Sequence, residues 1–152
     1  MFNSITCNGS RSHRTPADKK LHAKIEAKEG FTLSMSDEKA RQTAEDHYYA
    51  ALDLMAEGQP ERSLEEFRSS LHADPSFTEA MHGLARALQD LNQLEEAIAV
   101  AKRIAEIDPD DILAHTSLSV LYQRKGMIPE AEAEGNKARI LGWKQQLKDK
   151  KT

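Results

Sequence analysis

Apolar side chains along this chain recur on two periods at once, at helical spacing within segments of roughly 14 residues and again every 34 residues from position 44 onward. Asp74-Pro75 and Asp108-Pro109 stand 34 residues apart, and the same step leads on to Gly142-Trp143. Setting these pairs at positions 31 and 32 of a unit divides the chain into 44–77, 78–111 and 112–145. Position 7 is then Ala50, Leu84 and Leu118, position 11 is Leu54, Leu88 and Tyr122, and position 30 is Ala73, Ile107 and Leu141, all suited to packing. Positions 8 (Ala51, Ala85, Ser119) and 20 (Ser63, Ala97, Ala131) are small in every copy. Position 15 is Gly58, Asn92 and Gly126, the residue types that tolerate the left-handed backbone closing a helix.

Each unit predicts a helix A, a tight turn at position 15, a helix B of similar length, and a break. Pro75 and Pro109 supply the break in the first two units, because proline lacks an N–H and disfavours helix in the residue before it. Helices this short are marginal alone, so they must stack. Small residues at positions 8 and 20 let neighbouring axes approach to about 8–10 Å. The expected fold is an all-α superhelix, a solenoid of three helix-turn-helix repeats.

A 34-residue unit with small residues at 8 and 20, Leu or Tyr at 11 and Pro at 32 resembles the tetratricopeptide repeat family over about 100 of the 152 residues. The departures are at position 4 (His47, Met81, His115) and position 24 (Phe67, Ala101, Gly135), both often aromatic in that family. The repeat domain is expected over 36–143. A capping helix and tail follow over 142–152, with Trp143 and Leu147 one turn apart to cover the last repeat. Residues 1–35 read as a disordered or weakly helical leader, in which Leu21 and Ile25 support a nascent helix and no core. Ser36, with Asp37 and Glu38 after it, reads as a helix N-cap, and Met35 offers a second translation start besides Met1.

Composition narrows the function classes. Residues 1–34 hold six Lys/Arg against three Asp/Glu, and the remainder fifteen against twenty-two, so the acidic repeats disfavour nucleic acid as partner. One cysteine, Cys7, forms no internal disulfide, and no apolar run approaches the roughly 20 residues that span a bilayer. A cytoplasmic protein without membrane contact is expected. The acid-free, Ser/Thr-containing stretch 1–17 offers organelle targeting as the alternative.

No glycine-rich phosphate loop, nucleophile elbow or four-ligand zinc spacing is present, so neither enzyme activity nor a metal or cofactor is expected. His82 and His115, on neighbouring A helices, are the one pair that could approach each other, and two imidazoles make a poor site. The resemblance implies a concave groove lined by positions 2, 5, 9, 12 and 13 of each helix A. In the first repeat these include Glu45, Tyr48, Leu52 and Met55, with Leu52 and Met55 as apolar anchors. The second repeat adds Glu79, His82, Arg86 and Gln89, and the third adds Leu113, Thr116, Val120, Gln123 and Arg124. The family's carboxylate clamp for chaperone tails falls on Tyr48, Leu52, Gly83, Leu113 and Ser117, which lack its charges and amide, so that co-chaperone role is not expected. The expected role is a scaffold binding a protein or peptide segment, with self-assembly through the end faces or the Trp143 helix as the alternative.

Overall fold

The computed structural model describes the backbone of residues 16–151 and the side chains of residues 35–151. Among the described residues there are six helices and no strand: α1 (Pro16–Ala56), α2 (Pro60–Ala73), α3 (Thr78–Asp90), α4 (Leu94–Ile107), α5 (Ile112–Arg124) and α6 (Ile128–Asp149). The chain divides into two units between Lys39 and Ala40. In the first unit residues 16–35 are helical, the second of the two readings of the leader, while Ser36 lies inside α1 instead of capping it. Pro16 suits the first turn of a helix, and the Lys, Glu and Ala that follow are good helix formers. The rest of the expected leader, residues 1–15, lies outside the described residues.

The second unit is built of three helix pairs in the expected register. Gly58, Asn92 and Gly126 all take the left-handed conformation, with φ of 73°, 60° and 78°. Each ends a helix A in the same way. The N–H of Gly58, Asn92 and Gly126 reaches back to Met55, Gln89 and Gln123 at 3.0–3.1 Å. The next N–H, of Gln59, Gln93 and Met127, closes on Leu54, Leu88 and Tyr122 at 2.8–2.9 Å. These paired bonds satisfy the last carbonyls of the helix.

The break after helix B is made by Asp as much as by Pro. Asp74 and Asp108 are the C-caps of α2 and α4, followed by Pro75 and Pro109. The Asp74 carboxylate accepts from Ser76 N at 2.9 Å and Oγ at 2.6 Å, and Asp108 accepts from Asp110 N at 3.0 Å. In the third repeat Gly142-Trp143 offers neither function. Helix α6 therefore runs on for 22 residues, and the capping helix expected over 142–152 is the continuation of helix B instead of a separate element.

Ala51, Ala85, Ala97 and Ala131 are buried, as their columns require. Ala51, Ala97 and Ala131 share a core with Leu64, Phe67, Leu88, Ile98, Leu118, Leu121 and Tyr122. Ala50 and Ile107 are exposed, so columns 7 and 30 pack in only some copies. Phe67, fully buried at position 24 of the first repeat, lies against the backbone of Gly83 at position 6 of the second, where a Cβ would collide with its ring.

Candidate partner-binding groove

The A helices that line the inner side of such a stack are residues 44–56 of α1, then α3 and α5. Between α3 and α5 lies a cleft of about 240 Å³ lined by His82, Ala85, Arg86, Gln89, Leu113 and Ser117, with Leu121 at its base. Four of these, His82, Arg86, Gln89 and Leu113, are expected groove residues brought together by the register. Leu113 is 56% exposed, a large apolar side chain left in water on the cleft that Arg86 also lines. Arg86 reaches Asp90 one turn on at 3.2 Å, with its own side chain largely solvated. An exposed pair of this kind holds the guanidinium only weakly.

The flanks of the cleft are tied across the repeat junction. Arg124 donates to the Gln89 carbonyl at 3.0 Å, fixing the end of α5 to the end of α3. His82 Nε2 lies 2.8 Å from Asp111, whose other carboxylate oxygen accepts the Ala114 N–H as the N-cap of α5. Burial pushes the Asp111 carboxyl up, but the Ala114 N–H and His82 outweigh it and hold its pKa below the ordinary value. Thr116, Val120 and Gln123 extend the exposed face of α5, and Glu79 opens that of α3.

The first repeat contributes less than expected. Tyr48 is half-buried among rings, with centroids 5.2 Å from Phe77, 5.4 Å from Tyr49 and 6.2 Å from Phe67. Burial raises its phenol pKa, with Glu79 and Tyr49 adding to the effect. Met55 also packs on the core, and Glu45 is paired with Arg41 at 3.5 Å. Tyr48 and Met55 are thus packing residues, and only Leu52, 39% exposed, remains of the apolar end. Tyr49, one position along, is exposed and was not expected in this role. Phe77, the residue before α3, packs on the Tyr48 ring, and nothing in the helical spacing signals that contact.

His82 and His115 do not form a pair, because each is engaged elsewhere. His115 Nδ1 lies 2.6 Å from Glu134, and its Nε2 lies 2.9 Å from the Pro109 carbonyl. His47 meets Glu66 at 2.7 Å in the same way, again between positions 4 and 23 of one repeat. In the second repeat those positions are Met81 and Val100, packed against the core. Position 4 therefore bridges helix A to helix B by either chemistry. Among the described residues no group of three or more His, Cys, Asp or Glu is placed to hold a metal ion, and no helix is long and apolar enough to cross a membrane.

The tetratricopeptide repeat model matches residues 54–121. A putative pentatricopeptide repeat-containing protein of Arabidopsis thaliana is 28% identical over 106 residues, which are 64% of this chain and 15% of that protein's length. Among solved structures, the second repeat domain of Spaghetti (RPAP3) bound to the HSP90 peptide SRMEEVD has a TM-score of 0.64 at 19% identity, over 68% of this chain and 95% of that one. MamA has a TM-score of 0.67 at 19% identity, over 68% and 61%. The Yersinia enterocolitica type III secretion translocator chaperone SycD, in an alternative dimer, has 0.63 at 23% identity, over 66% and 76%. At these identities the likeness is one of fold.

Proposed function

We propose that this chain, which matches the tetratricopeptide repeat model over residues 54–121 and shares the fold of such proteins, is a protein-interaction scaffold whose inner face, centred between α3 and α5, holds a peptide segment of a partner protein. The observation that carries this reading is the cleft beside exposed Leu113 and Arg86. Its volume suits one or two side chains, and a folded core gains nothing from leaving Leu113 in water. Burying that side chain under a ligand contributes roughly 1.5–3 kcal/mol, enough to anchor a segment when the backbone finds polar partners. Arg86, weakly held by Asp90, and the Gln89 amide supply them. The segment is therefore one with an apolar residue next to a carboxylate or an exposed carbonyl.

The relative bound to an HSP90 peptide supports peptide recognition on this fold. The residues at the clamp positions here favour a different ligand chemistry, since Tyr48 is packed inward and Leu113 is apolar. Selection from a random peptide library on the immobilised full chain tests the proposal. Enriched peptides are expected to bind the Arg86→Ala/Leu113→Ser double variant at least tenfold more weakly, with its helical circular dichroism unchanged. Equal affinity for both proteins would move the site off this cleft.

A further inference from the structure

Helix α6 carries a second exposed surface. Helix α6 is bipolar: its first half carries Glu130, Glu132 and Glu134, and its second half carries Lys144, Lys148 and, just beyond it, Lys150 and Lys151. The wider chain is divided likewise, with nine Lys/Arg against twenty-one Asp/Glu over 35–136 and six against one over 137–152. On one face of α6 the residues at 133, 136, 140, 143 and 147 alternate by three and four, the spacing of a two-helix seam. Its distal members are large and exposed: Ile140, Trp143 at 58% and Leu147 at 62%. Its proximal members, Ala133 and Asn136, are smaller, and Asn136 also borders a depression of about 430 Å³ between α5 and α6 lined by Ser119, Ile128, Ala131, Gly135 and Arg139. That depression lies where the next helix A would sit, and position 24, which grips that helix through Phe67 in the first repeat, is here Gly135.

We propose that two copies of this chain pair through α6 in antiparallel fashion about a two-fold axis near residue 140. That arrangement sets the lysines of one helix against the glutamates of the other. It lays Leu147 and Trp143 of one seam over the smaller Ala133 and Asn136 of the other, all four exposed. Both matches occur twice, as a two-fold interface requires. Parallel pairing would set lysine against lysine and bulk against bulk, so the charge pattern selects the orientation.

Sedimentation velocity on the full chain, from low micromolar to millimolar concentration, tests this. The expected result is a concentration-dependent doubling of mass, with a blue shift in the emission of Trp143, the only tryptophan. Glu130→Lys/Glu132→Lys and Lys144→Glu/Lys148→Glu change exposed positions, and each variant alone is expected to stay monomeric with unchanged helicity. An equimolar mixture of the two is expected to form the mixed dimer, because each then supplies the charge that the other lacks. A wild type that stays monomeric throughout, or charge variants that dimerise alone as well as the wild type does, would overturn the proposal. So would a mixture that stays monomeric.

Discussion

Gly83 shows how one hydrogen in place of a methyl decides the spacing of two repeats. Its backbone is ordinary helix, so flexibility is not its purpose; the Phe67 ring occupies the space that a Cβ would need. Phe67 is fully buried and cannot swing into solvent. Gly83→Ala is therefore expected to destabilise the protein by about 1–3 kcal/mol, although alanine is the better helix former by about 1 kcal/mol. Thermal unfolding followed at 222 nm checks this, and Phe67→Leu in the same chain is expected to recover most of the loss. A rise in melting temperature on Gly83→Ala would show that the ring gives way freely. This contact was not legible in the sequence, because the 34-residue period aligns equivalent columns, and here position 24 meets position 6 of the following repeat. The turn residues were legible for the opposite reason. Gly58, Asn92 and Gly126 each answer a local backbone demand that their own chemistry announces.

Helix pairs are held by the same columns through different chemistry. Position 4 faces position 23 as His47–Glu66, Met81–Val100 and His115–Glu134, so hydrophobicity alone would have left the first and third brackets unread. The third is the most sheltered, with side chains 9% and 15% exposed, and Glu134 also takes Lys137 at 2.8 Å. Burial raises the Glu134 carboxyl, yet the hydrogen bonds from Lys137 and His115 prevail and leave its pKa below the ordinary value. A carboxylate depressed by folding contributes stability above its unfolded pKa of about 4.3, and that stability is lost as pH falls through the folded value. Urea titrations should thus find Glu134→Gln less stable than the wild type by about 1–3 kcal/mol at pH 7. The gap is expected to close as the pH is lowered from about 4.5 towards 3. A gap that stays constant over that range would mean that the bracket stabilises by packing and not by charge.

At the scale of the whole molecule, the end of the stack is set by what the third repeat omits. Two copies of Asp-Pro stop α2 and α4, and their absence at 142–143 lets α6 project Trp143 and Leu147 into water. Spacing identified a helix there but gave no reason for it to fold back, since one turn between two apolar residues suits a cap and an open seam equally. The repeat core was legible because three copies vote on each column; the arm was not, because it occurs once. The neighbourhood of Arg86 and Leu113 was legible, because register places both on one cleft, whereas the packing of Tyr48 against Phe77 was not, because Phe77 lies outside the helical spacing. Restoring the missing stop tests this account of the end. In Gly142→Asp/Trp143→Pro the helix is expected to end near Leu141, since proline costs about 3 kcal/mol or more in a helix interior. Helical ellipticity should then fall by roughly two turns' worth of residues, while the melting temperature changes by only a few degrees because the arm is mostly solvated. A collapse of the melting temperature would mean that residues 142–149 hold the last repeat closed, in the manner of the capping helix that the spacing first suggested.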